Sequence, residues 1–524
     1  MPLFETVVSL LLVAALLLQI SRRLRAPYPT MLALAGAAVA AFPWAPQVGI
    51  DPHLALALFV APAILNTAYD TSPIELRRNW LPLTALALFA VLLTSAAVAW
   101  AGWAYAGLPL AAAIALGAIV APPDTAAASA VLGSLGIPRR TMTILQGESL
   151  LNDAVALLIF GAAVAAAGGG ASLAGVAPRL LLAAPGGVLL GLLIGSLYLK
   201  LWPIWSGTLS ATIIDFVGTF AIWLLAERIG VSPVLAIVAF AMRVARSGPE
   251  RQRPRDRLHS FSVWDAVVFV LNVLAFLLMG LQARAILERL QGAALWHALA
   301  FAAMVFAIVV LVRLAWVMSY RIVLKPLAVR LQDGSESAGS PRLRLLVAWC
   351  GMRGILTLAT ALSLPADFPG RDVIVLAAFG VVLGTLIIQG STIALLIRWL
   401  GIPSDTSLED DIAAARRRLA QAGLAALEGR AGLVAHEGRA GAPGRQHDAL
   451  LEALRSRAQG QGEPDLQTSA DAMQLAVVQA QRRELIALHH VGAIAEDAFR
   501  VLQQELDWRE LSLAPSTARE IAEA

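Results

Sequence analysis

Long apolar blocks, separated by short polar connections, fill the chain from Leu3 to about Leu400. Each block is about 20 residues long, which is the length that an α-helix needs to cross a bilayer. The pattern therefore predicts an all-α membrane protein with about 13 transmembrane helices. The predicted spans are 3–20, 28–43, 53–70, 80–104, 109–134, 140–167, 173–200, 208–228, 231–246, 262–287, 294–322, 342–364 and 371–400.

From about Ser404 onward the chain becomes polar and rich in charge. This change predicts a transmembrane domain at 1–402 and a cytosolic helical tail, for regulation or assembly, at 403–524. Apolar positions at helical spacing predict tail helices at about 408–428 and 466–511, joined by a loose linker rich in Gly, Arg and His. The first apolar block lacks a basic leader and a cleavage site, so we expect a retained span rather than a signal peptide.

The composition supports a membrane protein, since 58% of the residues are hydrophobic and only 15% are charged. The net charge of +4 does not indicate nucleic-acid binding, because the basic residues are grouped in short connections between apolar blocks. Alternate connections carry these groups, which predicts a cytoplasmic tail and an external N-terminus in a cell membrane. The single cysteine, Cys350, excludes a disulfide within the chain.

Four side chains that carry oxygen interrupt the apolar block 140–167. At about 100° per residue, Glu148, Ser149, Asn152 and Asp153 share one face of a helix. Ionisable residues inside a membrane are expensive and usually functional, and hard cations prefer oxygen ligands. The alternative is a hydrogen-bonded seam between helices, which two carboxylates make a poor explanation. The pattern therefore predicts a cation site.

Two consecutive prolines lie in the middle of the block 109–134. Pro122 and Pro123 remove two backbone donors, so we expect the helix to break there and to free carbonyl groups at membrane depth. Such backbone is tolerated in a membrane only inside protein or along a cavity. Asp124 follows the break, where the N-terminus of a half-helix would favour its negative charge. A plain proline kink is the alternative.

A second interruption is expected in the block 342–364, where glycines flank an arginine at Gly351 to Gly354. Two interrupted spans in the two halves of a membrane protein are typical of transporters with inverted repeats and a site at the midplane. The cationic Arg353 is expected to balance Asp124 or Glu148. A snorkelling arginine near the membrane surface is the alternative.

These motifs resemble those of the sodium/proton exchanger family, the monovalent cation:proton antiporters, in the bacterial type with an Asn-Asp pair. Residues 147–154 resemble the signature of that family, Pro122-Pro123-Asp124 resembles its Thr-Asp-Pro stretch, and 351–354 resembles its Gly-Leu-Arg-Gly segment. Another typical stretch is matched by Leu271-Asn272, Phe276 and Gly280-Leu281-Gln282. The resemblance implies an antiporter fold with a dimerisation domain, a core that moves like an elevator, and a homodimer.

The resemblance also implies a set of site residues. The transported cation, Na+ or else Li+ or K+, is expected to be held by Asp153, Ser149, Glu148 and the backbone around Pro123. Asn152 and Asp124 are expected to support that site. Pro123 stands where relatives have threonine, which removes a hydroxyl group beside the site.

A second departure concerns Asn66, which stands where relatives have an acidic residue. In relatives that acid typically pairs with an arginine resembling Arg313. An amide cannot neutralise a guanidinium group, so Arg313 needs another partner, such as Asp70, or water.

Exchange needs one titratable site with two mutually exclusive occupants, a proton or a cation, and Asp153 is the residue that fits this role. In the family that these motifs resemble, a second aspartate at the position of Asn152 goes with electrogenic exchange, so the resemblance implies electroneutral exchange of one cation for one proton. A channel or an ion-gated sensor with the same site is the principal alternative. An intramembrane aspartyl protease built on Asp124 and Asp153 would leave Glu148 and Ser149 without a role. We therefore expect a transporter rather than an enzyme, with no cofactor.

Overall fold

The apolar blocks form helices in the computed structural model, and its described residues contain no β-strand. The structure describes residues 2–24, 28–40, 54, 56–69, 71, 76, 79–124, 128, 132, 137, 139–168, 173–289, 292–330, 341–402, 407–436 and 464–513. The helices of the apolar region are α1 (Pro2–Leu24), α2 (Tyr28–Ala40), α3 (Leu56–Tyr69), α4 (80–106), α5 (Leu110–Val120), α6 (Arg139–Ala167), α7 (Leu173–Trp205), α8 (Leu209–Ile229), α9 (Pro233–Arg251), α10 (Pro254–Arg289), α11 (Gly292–Arg330), α12 (Pro341–Trp349), α13 (Ile355–Leu362) and α14 (Arg371–Leu400).

Seven stretches of the described residues are long and apolar enough to cross a membrane, and they lie in α4, α6, α7, α8, α10, α11 and α14. The helices α2, α3 and α5 are shorter and also apolar. On α7 the side chains of Leu189, Leu193 and Leu197, one turn apart, are exposed, as expected of a surface that faces lipid. The predicted all-helical membrane fold is confirmed. The number of 13 crossings stays a prediction.

Small residues let some of the helices approach each other closely, as is common in membrane proteins. A Cβ atom added at Gly36 on α2 would collide with the backbone of α10 at Leu277, and one added at Gly280 on α10 would collide with the backbone of α2. On α5, a Cβ atom at Gly117 would collide with the backbone of Ser95 on α4. These contacts hold α2 against α10 and α5 against α4.

The tail contains three helices among the described residues: α15 (Ser407–His436), α16 (Pro464–His490) and α17 (Glu496–Leu513). The first continues to His436, beyond the predicted end at 428. The stretch predicted as one helix over 466–511 is two helices, because a turn over 491–495 with Gly492 at φ 71° separates them. Helical spacing of apolar residues continues across this turn, which explains why the pattern did not reveal it. Residues 437–463 of the predicted linker lie outside the described residues.

The chain divides into two compact units. The larger one comprises 1–198, 215–246 and 264–405, and the smaller one comprises 199–214, 247–263 and 406–524. The smaller unit has its own hydrophobic core, which includes Leu419, Leu485, Phe499, Leu502 and Leu506. The tail helices therefore have a packed interior of their own, and two short segments that join apolar helices belong to the same unit.

A buried ionic cluster lies inside the smaller unit. Arg257, near the start of α10, places its Nε atom 3.0 Å from Oδ2 of Asp507 on α17, and its Nη2 atom bonds the other carboxylate oxygen. The Nη2 atom of Arg482 lies 2.7 Å from Oδ1 of Asp507 and 2.6 Å from Oε2 of Glu510. The side chains of Arg257 and Asp507 are only 2% and 1% exposed. Each charge is therefore compensated within the cluster.

Asp507→Ala should destabilise the smaller unit strongly, because it leaves Arg257 and Arg482 without their shared carboxylate. Loss of one partner of a buried ion pair costs about 3–5 kcal/mol. The matched control is Glu505→Ala, since Glu505 pairs with Arg416 at the surface, where a pair is worth about 1 kcal/mol or less. Hydrogen exchange of the α16 and α17 amides measures both effects, and equal protection losses in the two variants would contradict the expectation.

Candidate cation and proton site

The break in α5 is held by an arginine from the other interrupted span. α5 ends at Val120, two residues before the Pro122-Pro123 pair, as the prolines predict. Arg353 is buried, and its Nε and Nη2 atoms donate to the carbonyl oxygens of Val120 and Ala121 at 3.0 and 3.1 Å. A helix C-terminus has unsatisfied carbonyls and partial negative charge, so a guanidinium group is stabilised there.

Arg353 was expected to balance the charge of Asp124 or Glu148, and that expectation stays a prediction, since its hydrogen bonds go to backbone carbonyls. Its guanidinium group donates to backbone carbonyls, including that of Gly351, in the described part of the chain. The proline break leaves these acceptors without helical donors, and the arginine satisfies them.

Asp124 makes the reciprocal contact with the second interrupted span. Its backbone N–H donates to the carbonyl oxygen of Met352 at 2.7 Å, and its Oδ2 atom accepts from the N–H of Ile355 at 3.2 Å. Ile355 is the first residue of α13, so the carboxylate caps the positive end of that helix. The two broken segments are thus joined by an arginine at one helix end and an aspartate at the other.

The glycines at 351 and 354 are explained by the side chains beside them. A Cβ atom at Gly351 would collide with the side chain of Arg313, and one at Gly354 would collide with the carboxylate of Asp124. Neither position needs glycine for an unusual backbone angle in the left-handed region. Close approach by two charged groups therefore accounts for both.

Arg313 has an acidic partner on α6. Both of its terminal nitrogens bond the carboxylate of Glu148, the Nη2 atom at 2.9 Å from Oε2, and Nη2 also lies 3.3 Å from the carbonyl oxygen of Val347. The two side chains are 3% and 1% exposed. Glu148 thus supplies the partner that Arg313 was expected to need. Asn66 itself is half-buried on α3, and the suggested partner Asp70 lies outside the described residues.

A cavity of about 50 Å³ lies where α6 faces the two interruptions. One water needs about 10–15 Å³ by this measure, so there is room for a cation that keeps only a few waters. Ser149 and Asp153, one turn apart on α6, line the cavity. It is lined also by Phe59, Val60, Ala63, Ile64, Thr67, Pro122, Pro123, Asp124, Leu150, Asn272, Ile355, Leu356 and Thr357. Two carboxylates and several neutral oxygens thus converge on one small space.

This geometry agrees with comparisons to known proteins. The sequence matches the family described as "Sodium/hydrogen exchanger, transmembrane" over residues 7–399. The chain belongs to the sodium/hydrogen exchanger family. It is an antiporter of that family rather than an enzyme.

Similar proteins match the exchanger over nearly its whole length. An uncharacterized Na+/H+ exchanger of Escherichia coli is 30% identical over 98% of this chain and 99% of its own. One of Mycobacterium tuberculosis is 30% identical over 97% of this chain and 96% of its own. The sodium proton antiporter MjNhaP1 of Methanocaldococcus jannaschii shares the fold, with a TM-score of 0.57 and 18% identity over 76% of this chain and 99% of its own.

The structure of the exchanger separates the predicted site residues into two groups. The cavity brings together Asp153, Ser149, Asp124, Pro123 and Pro122. The buried partners around it are Glu148 with Arg313, Arg353 at the end of α5, and the fully buried Asn152. The amide atoms of Asn152 make no hydrogen bond among the described residues. Glu148 was expected to hold the cation, but Arg313 binds both of its carboxylate oxygens.

Three polar residues of the cavity wall were not assigned to the site from the sequence: Thr67, Asn272 and Thr357. A signal existed for Asn272, which is the one polar side chain in the stretch 266–280 of α10. The two threonines carried no comparable signal, because a threonine in an apolar helix can bond its own backbone. Thr67 does so, with its hydroxyl group donating to the carbonyl of Ala63 at 2.9 Å.

The Glu148–Arg313 pair should show strong energetic coupling. Glu148→Gln or Arg313→Gln alone leaves one buried charge and should cost about 3–5 kcal/mol of stability. The double variant should be much more stable than the sum of the two losses, because neither charge then remains. Thermal unfolding of the purified variants in detergent measures the cycle.

An uncoupled control combines Arg313→Gln with Glu5→Gln, since Glu5 is an exposed acid on α1. These two changes should add within about 0.5 kcal/mol. Additive losses for the Glu148 and Arg313 changes would contradict the pair.

Proposed function

We propose that the chain exchanges Na+ for H+ across a cell membrane, with both ions competing for Asp153. The observation that carries this proposal is the cavity that Asp153, Ser149 and Asp124 share with the broken backbone at Pro122-Pro123. Oxygen ligands suit a hard monovalent cation. Asp153 is the one carboxylate there that lies on the wall without capping a helix end, so it is available to a proton or to a cation.

The surrounding charges support competition at one place. Glu148 is neutralised by Arg313, and Asp124 caps α13. Burial disfavours an isolated charged carboxylate, so Asp153 is stabilised by taking up either a proton or a cation. If the site crosses the membrane only when it is occupied, each cation that moves one way is exchanged for a proton that moves the other way.

Na+ is proposed as the principal cation, with Li+ and K+ as the other candidates. One relative, from Bacillus subtilis, is named a sodium, potassium, lithium and rubidium/H+ antiporter and is 28% identical over 93% of this chain and 74% of its own. We also propose elevator-type alternating access in a homodimer, as the family resemblance implies. A channel or an ion-gated sensor would use the same cavity without stoichiometric exchange.

The remaining proposals concern orientation and the tail. The basic connections favour an external N-terminus and a cytoplasmic C-terminus. The region 403–524 is proposed to be a regulatory or assembly tail after a transport domain at 1–402. Its separate hydrophobic core and the buried ion pair of its Asp507 with Arg257 support a folded role for it.

Asp153→Asn should abolish exchange and leave the protein folded. The amide keeps the size of the side chain but can neither release a proton nor neutralise a cation. Proton flux in proteoliposomes, started by a pulse of Na+, measures exchange. The matched control is Asp367→Asn, which alters an exposed aspartate outside the cavity and should exchange normally. Normal exchange by the Asp153 variant would contradict the proposed mechanism.

Exchange should be electroneutral, because one cation is proposed to replace one proton. A net elementary charge that crosses the membrane would gain or lose about 2.3 kcal/mol per 100 mV, which would change the rate strongly. Proteoliposomes clamped at different voltages should therefore exchange at nearly the same rate. A marked voltage dependence would show that a second charge moves, and Asp124 would be the first residue to test.

A further inference from the structure

Asn272 is a lone amide in an apolar helix. All the residues of α10 from Ala266 to Gly280, apart from Asn272 itself, are apolar or glycine. A polar side chain within a membrane is unfavourable unless it has a partner or a function. Asn272 is half-buried, lines the cavity, and has no hydrogen-bond partner among the described residues. Its amide is therefore available to whatever enters the cavity.

The helix that carries Asn272 is held firmly at this level. Tyr28 on α2 packs its ring against Phe269 and Phe276, with centroids 5.9 and 6.5 Å apart. These two phenylalanines lie about one turn before and one turn after Asn272. The close backbone contact of Gly36 with α10 lies further along the same pair of helices. The position of the amide is thus set by packing on both sides of it.

The size of the cavity gives the amide oxygen a role. Room for only a few waters means that a cation must exchange part of its hydration shell for oxygens of the wall. The carboxylate of Asp153 supplies charge to any monovalent cation. Discrimination among cations of equal charge depends on the number and field strength of the neutral oxygens and on the size of the space.

We propose that Asn272 is a specificity-determining residue, whose side-chain carbonyl oxygen joins the coordination of the transported cation and sets the preference among Li+, Na+ and K+. This inference rests on the proposed exchange at Asp153. Asn272 lies on α10, whereas Asp153 and Ser149 lie on α6, so the cation is held between two different helices. Binding from both sides makes the affinity sensitive to the cation's radius.

Two variants of nearly the same size distinguish the effect of the side-chain oxygen from the effect of the side-chain volume. Asn272→Leu keeps the size and removes the oxygen, whereas Asn272→Asp keeps both. In proteoliposomes we expect Asn272→Leu to raise the half-saturating Na+ concentration about tenfold, as for loss of one bond to a charged group. The maximal rate should change little, and the order of half-saturation among Li+, Na+ and K+ should change. Asn272→Asp should bind Na+ at least as tightly as the unmodified chain.

The outcomes distinguish the inference from the proposed function. If the unmodified chain exchanges Na+ for protons and Asn272→Leu keeps its half-saturation and cation order, the role of Asn272 is wrong and the exchange at Asp153 stands. If the maximal rate falls equally for all three cations at unchanged half-saturation, Asn272 is only structural and the inference is also overturned. If the unmodified chain shows no exchange, the proposed function fails, and with it the inference. Should the leucine variant misfold, Asn272→Ser and Asn272→Ala replace it. Serine keeps an oxygen on a shorter side chain, so Asn272→Ser must raise the half-saturating Na+ concentration less than Asn272→Ala does.

Discussion

The contact between Asp124 and the N-terminus of α13 is the constraint on which the site depends. A membrane offers no water to the polar backbone groups that a broken span exposes. The two interrupted spans therefore have to meet, so that each provides partners for the exposed groups of the other. Pro122 and Pro123 break the first span, and the glycines at 351 and 354 admit charged side chains at the second. Asp124 then caps one helix end, and Arg353 caps the other.

The distribution of buried charge follows from this arrangement. Arg353 is stabilised by carbonyl groups at the end of α5, so it leaves the nearby acids to other partners. Glu148 is paired with Arg313, so both of these buried charges are compensated. Two acids line the cavity, and Asp124 caps α13, which leaves Asp153 as the carboxylate on the wall that caps no helix end. Binding of a cation or a proton would neutralise this buried carboxylate and so be favourable.

Local sequence rules predicted the helix break and the polar face of α6, but they did not predict the partners of the buried arginines. Proline chemistry located the break in α5, and helical periodicity placed Ser149 and Asp153 on one face of α6. The partners of Arg313 and Arg353 could not be predicted in the same way, because a guanidinium group can be satisfied by carboxylates or by carbonyls and the choice depends on tertiary packing. Glu148 illustrates the limit, since it shares the predicted face with Asp153 and yet bonds an arginine. The turn at 491–495 escaped notice because apolar spacing persisted on both sides of it.

The central claim is that a proton and a cation exclude each other at Asp153, and Na+ binding to the purified protein tests it without transport. Titration calorimetry in buffers of different ionisation enthalpy counts the protons released on binding. About one proton should be released for each Na+ bound when the site is protonated, and Na+ should bind more weakly as the pH falls. Binding of Na+ with no proton release and with the same affinity across the neutral and acidic range would contradict it.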